Sequence, residues 1–206
     1  MHRIVLLAAT LLAAALWVNT AAAQPEQVCL LEERNAGQGL SLAVDQRGTL
    51  HMLYVVKLSG DLRHLTVAPD GQTASEVVAP RISRLAIDEV RHPDLVLVGG
   101  VPTACWYSAA DVEVVFGRRG DDGWVTEVID DAMGVTDGCA VVEADGRLWV
   151  LYRGAQGLVA AWRQDGGGWR SEVVEPAPGG LQPHAVALAD GTLVVASHDG
   201  AGQLFV

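Results

Sequence analysis

His92, Asp94, Asp137, Cys139, Gln182 and His184 fall in three pairs of the same internal spacing, and the pairs follow one another at intervals of 45 residues. Gly39 and Ser41 form the corresponding pair further upstream. Imidazole nitrogens and carboxylate oxygens can ligate a divalent metal or grip a small polar ligand, provided something brings them to one point. No H-x-x-x-H or C-x-x-C spacing accompanies them, so neither a metal nor a cofactor is assigned. The simpler chemistry is that they bond loop amides or channel water, as buried polar groups must. His51 and His64 stand inside apolar runs and read as packed or surface residues. His198-Asp199-Gly200 is a secondary candidate beside the same six side chains.

The elements that must position these groups are legible in Asp137 to Pro176. Apolar runs CAVV, RLWVLY, LVAAW and WRSEVV are separated by ADG, RGAQG and QDGGG. Glycine and aspartate clusters of this kind accept left-handed φ or Asx turns, so the segment reads as a four-stranded antiparallel meander. Such a sheet has an uncovered apolar face and needs neighbours of its own kind. The chain supplies them. Aligned on Tyr54, Tyr107, Tyr152 and Ser197, the copies are 53, 45 and 45 residues apart. A period near 45 is that of propeller blades. The expected fold is therefore all-β, a single β-propeller domain over residues 24–206, with blades at about 40–79, 93–130, 137–176 and 184–206. The last copy ends inside its third strand, and Val28 to Glu33 is expected to close the ring. The rival reading is a partial propeller from a truncated chain. Arg81 to His92, an insertion before the second blade, is read as a short helix or lid.

Rotation about a propeller axis brings the first strand of every blade to one channel mouth. His92, Asp94, Asp137, His184 and Gln182 are thus the expected ligand-binding residues. Arg47, Arg118, Arg119, Arg147, Arg163 and Arg170 fall on expected turns or outer strands. Cys105 and Cys139 lie on adjacent blades and could form a disulfide, which would take Cys139 out of the ring. Cys29 is left over.

Residues 1–23 read as a signal peptide: a short basic start, an uncharged stretch from Ile4 to Val18, then small residues before Gln24. That apolar stretch falls short of the roughly twenty residues of a spanning helix, so no membrane span is expected. The protein is expected to be secreted or periplasmic, where disulfides are permitted. A net charge of −11, with 14 basic against 25 acidic residues, argues against a nucleic-acid partner. No nucleophile elbow, Walker loop, zincin or EF-hand pattern occurs.

The repeats resemble those of secreted bacterial propellers with sialidase-type (BNR-like) blades. The resembling residues are Ser41 to Asp45, Gly48, His51, Tyr54, Asp61-Leu62 and Asp70-Gly71, with Gly146, Trp149, Tyr152 and Gly167-Gly168-Trp169 in the third copy. No copy holds the full S-x-D-x-G-x-x-W box. The family's catalysis implies an arginine trio, a tyrosine nucleophile and acidic residues over six blades, more than this chain holds. Function is therefore read as an exported non-catalytic binding module for a glycan or protein. The alternative is a sialidase-like or other propeller glycoside hydrolase or lyase, for which Asp94 and Asp137 are the available carboxylates.

Overall fold

Turn chemistry sets where each strand stops. Asp145 (φ +49°) and Gly146 (φ +67°) form a two-residue hairpin of left-handed residues, and Gly99-Gly100 forms another. Asp45 Oδ1 accepts the amides of Arg47 and Thr49, closing an Asx turn that Asp190 and Asp199 repeat in the last copy. Those backbone bonds hold all three carboxyls below their usual range.

The computed structural model describes residues 38–83, 92–131, 138–163, 167–177 and 179–206, within the unit Leu31–Val206. The described residues form a four-bladed β-propeller without helices. Blade one comprises β1 (Gln38–Val44), β2 (Leu50–Val55), β3 (Leu62–Val67) and β4 (Thr73–Ala79). Blade two comprises β5 (Asp94–Val98), β6 (Val101–Ser108), β7 (Glu113–Gly120) and β8 (Gly123–Asp130). Blade three comprises β9 (Cys139–Ala144), β10 (Arg147–Gly154), β11 (Gly157–Arg163) and β12 (Arg170–Pro176). Blade four has β13 (Leu181–Ala187), β14 (Leu193–His198) and β15 (Leu204–Phe205) among the described residues. Every sheet is an antiparallel meander in chain order. The expected closing strand, Val28 to Glu33, the signal segment, and residues 84–91 of the insertion lie outside the described residues. Among the described residues no helix is long and apolar enough to cross a membrane.

The core sits in the seams between blades. Leu53, Val55, Leu62 and Val78 of blade one meet Leu95, Ala104, Trp106 and Val115 of blade two, joined by Ile82 from the start of the insertion. Cys105, Tyr107, Val114 and Phe116 meet Val141, Val150, Tyr152 and Val159 across the second seam. Ala140, Val142, Leu151 and Leu158 meet Ala185, Leu193 and Val195 across the third. The seams are not equally filled. Val78 and Val174 stand at the same bulge of their outer strands, yet Val78 is 8% exposed and Val174 is 48% exposed.

The seams also correct the alignment on tyrosine. Tyr152 turns back toward blade two, whereas Tyr107 turns forward toward blade three. The residue of blade two that turns back, as Tyr152 does, is Trp106. β6 is buried on both faces, so its apolar run gives no alternation from which to read the register. A second correction concerns the arginines. Arg118 and Arg119 were expected on a turn but continue β7 to Gly120, leaving Asp121-Asp122 as the turn, and Arg163 likewise ends β11. Gly117 is needed in that strand because a Cβ there would lie 2.7 Å from the Trp106 ring.

Candidate functional site

β1, β5, β9 and β13 begin around one mouth, and a cavity of about 300 Å³ opens there. Ser41, His92, Asp94, Cys139, Gln182 and His184 all line it, with Pro93 and Pro183 between them. The structure thus brings together every expected site residue except Asp137, which lies outside the described residues. The imidazole of His184 projects from an exposed position on β13, opposite Ala196. His92 is exposed, but its backbone is locked: it bridges Gly138, and its carbonyl accepts the Cys139 amide at 3.3 Å. Gly138 (φ +112°) permits this approach, since a Cβ there would lie 2.6 Å from the His92 carbonyl oxygen. Gln182 adopts φ +43°, a left-handed conformation that costs a non-glycine residue about 1 kcal/mol or more. It falls in the register break between Leu181 and His184, which aims the following Pro183-His184 at the mouth.

Three of the six side chains, Ser41, Asp94 and Cys139, are already engaged. Asp94 Oδ1 accepts the Ser41 hydroxyl and the Leu95 amide, each at 2.9 Å, and Oδ2 accepts the Val141 amide at 2.9 Å. One carboxylate therefore holds blades one, two and three together. Cys139 is bonded to Cys105, with Cα atoms 6.1 Å apart, so it offers no thiolate. His92, Gln182 and His184 remain as groups that can turn to a ligand. Among the described residues, no three of His, Cys, Asp and Glu gather as a metal-holding cluster. His198, the secondary candidate, accepts the Gly200 amide at Nδ1 and braces its own loop. Among the described residues, no arginine lines the mouth. Burial, then the hydrogen bond to Asp130, pushes the Tyr152 phenol far up, so it rests protonated and donates to that carboxylate.

A second polar cluster lies in the first seam and was not expected. Glu76 Oε1 accepts Arg119 Nε at 2.9 Å, Trp124 Nε1 at 3.1 Å and His64 Nδ1 at 3.1 Å. Burial alone would raise the Glu76 carboxyl, but these hydrogen bonds outweigh it and hold it below the usual range. An ionised carboxylate only accepts, so His64 carries its proton on Nδ1 and takes one from His51 Nδ1 at Nε2, 3.1 Å away. His51 Nε2 is buried without a hydrogen-bond partner, 3.8 Å from Asp45 Oδ2. The second seam repeats the clamp without the histidines. Arg163 Nη1 bonds both oxygens of Glu127, Trp169 Nε1 bonds Glu127 Oε2, and Phe116 occupies the place of His64. The sequence did carry a signal for this: Ser-Glu-Val-Val at Ser75, Thr-Glu-Val-Ile at Thr126 and Ser-Glu-Val-Val at Ser171. The first two are each followed by an Arg and then a Trp on the next blade.

Burial, the largest influence on His64, lowers its pKa from the ordinary 6.5, with the Glu76 bond opposing. The unfolded chain therefore takes up a proton near pH 6.5 that the folded chain resists. Stability is full above about pH 6.5 and falls as pH drops toward the folded value, by at most about 1.4 kcal/mol per pH unit for one such group. His64→Phe, which copies the second seam, is expected to flatten the thermal-stability profile between about pH 6.5 and 5. An unchanged slope would assign the acid sensitivity to other groups.

No family model matches the chain, and no curated protein matches it. The propeller is established by its blades alone, and the reading of the site rests on the side chains described above.

Proposed function

We propose that this chain is an exported, non-catalytic binding propeller that takes a glycan or a protein loop at the channel mouth. The observation that carries this reading is the shared cavity: strands from all four blades line it, and His92, Gln182 and His184 are free to turn into it. Its scaffold is pre-formed, because Asp94 and the Cys105–Cys139 bridge tie three of the four blades together beneath it. Preorganisation of this kind lowers the entropic cost of recognition. Export through residues 1–23 is supported by the disulfide, a bond that persists in oxidising compartments. The repeats are read as diverged sialidase-type blades, on the turn and tyrosine pattern given above.

Catalysis is the weaker reading. A retaining glycosidase needs two free carboxyl groups roughly 5–5.5 Å apart. Asp94 has both oxygens engaged by hydroxyl and amide donors, which leaves it poorly placed to shuttle a proton. Glycan-array and protein-binding screens, run beside turnover assays on sialosides and other glycosides, test the proposal. Saturable binding without turnover is expected. His184→Ala and Gln182→Ala should each weaken it about tenfold or more, as loss of a buried polar contact does. Turnover of any glycoside, or affinity unchanged in both variants, would overturn it.

A further inference from the structure

A cavity of about 230 Å³ lies beneath the β9–β10 hairpin, at the opposite end of the strands from the channel mouth. Three arginines line it: Arg118 from β7, Arg147 from the start of β10 and Arg163 from the end of β11. Concentrating three of the chain's few basic residues at one spot runs against a net charge of −11. Arg163 is fixed in place. Its Nη1 is held by Glu127, and its guanidinium lies over Phe116 at 4.6 Å and Trp169 at 4.9 Å. Its Nε and Nη2 have no partner among the described residues, and neither guanidinium of Arg118 and Arg147 has one. Glu143 also lines the cavity, and it can only accept hydrogen bonds while ionised.

We infer that this pocket binds a sugar-borne oxyanion, the carboxylate of a sugar acid or the phosphate of a sugar phosphate. The anion sits among the three arginines, and a neighbouring hydroxyl donates to Glu143. Arginine presents a planar fork of donors that matches carboxylate and phosphate oxygens, and Arg163 is pre-aimed by its stack on two rings. Charge alone would not select the ligand, because Glu127 and Glu143 oppose two of the three cations. Discrimination comes from pairing an anion with a hydroxyl donor, so a bare anion leaves Glu143 facing a like charge. The pocket is independent of the channel mouth and stands or falls apart from it.

Calorimetric titration of the full chain with glucuronate and glucose 6-phosphate tests the inference, with glucose and sulfate, an anion without a hydroxyl to donate, as comparators. At least one sugar anion should bind saturably, and which one binds identifies the anion. The double variant Arg118→Ala, Arg147→Ala should weaken binding about a hundredfold, roughly tenfold for each guanidinium. Neither side chain makes a hydrogen bond or ion pair among the described residues, so the double variant should keep the circular dichroism spectrum of the parent. Glu143→Gln should narrow the preference for the sugar anion over sulfate, and His184→Ala should leave the affinity unchanged. No saturation by either sugar anion up to about 10 mM, a Kd far weaker than one buried anion contact gives, would overturn the site. So would equal binding by the double variant, or sulfate binding as tightly as the sugar anions.

Discussion

Replacing Asp94 with alanine is expected to lower the unfolding free energy by about 3 kcal/mol, the largest loss from any single side chain at the mouth. The Ser41 hydroxyl and the Val141 amide lose their acceptor at once, and the Leu95 amide keeps only its 3.1 Å bond to Ser41 Oγ; the three donors belong to three different blades. Hydrogen bonds to a charged acceptor contribute roughly 1.5–3 kcal/mol each, and donors left without partners in a part-buried place cost more than exposed ones. Asparagine should recover only part of the loss, because it offers one carbonyl oxygen where three donors converge. Urea denaturation followed by tryptophan fluorescence measures both variants. A loss under about 1 kcal/mol for Asp94→Ala would mean that water replaces the carboxylate and that the blades do not depend on it.

Reduction of Cys105–Cys139 should have a similar or larger effect. The bond spans 34 residues and fastens blade two to blade three through residues that are 0% and 4% exposed. The chain entropy released to the unfolded state for a loop of that length amounts to about 4 kcal/mol. The double variant Cys105→Ala, Cys139→Ala avoids leaving thiols and should show a comparable drop in the denaturant midpoint. The second seam would then rely on Tyr107, Phe116, Val141 and Tyr152 and on the Glu127–Arg163–Trp169 clamp. If the midpoint moves by less than about 1 kcal/mol equivalent, packing rather than the crosslink holds that seam.

The blades were legible because their turns are chemically explicit. Asp-Gly and Gly-Gly pairs tolerate the left-handed φ that tight hairpins require, so they mark strand ends whatever surrounds them. The mouth was legible because rotation superposes equivalent first-strand positions, which is how residues as distant as His92 and His184 reached one cavity. What stayed hidden depended on facing. β6 is apolar on both sides, so nothing in Val101 to Ser108 says which way Tyr107 points. Asp94 looked free for a ligand, since a sequence does not show that the Val141 amide of another blade meets its carboxylate. Gly117-Arg118-Arg119-Gly120 has a turn's composition, and only packing of Trp106 against Gly117 makes it a strand. With the arginines assigned to turns, neither the seam clamps nor the cavity beneath the β9–β10 hairpin could be anticipated.

The unequal filling of the seams sets how the ring comes apart. The first is braced by Glu76, Arg119 and Trp124 and the second by a disulfide as well as Glu127 and Arg163, whereas Glu172 at the third has no such partner among the described residues. Leu40, Leu42 and Val44 on β1 and Val186 on β13 are exposed, so the first strands of blades one and four are also lightly covered. In a stack of nearest-neighbour units, opening begins where the interface contributes least, and here that is the fourth blade. Gln182 and His184 travel with that blade, while Asp94 and His92 stay with the braced part. A ligand gripped from both sides of the mouth is therefore thermodynamically linked to blade closure: each increment of binding free energy opposes the detachment of blade four.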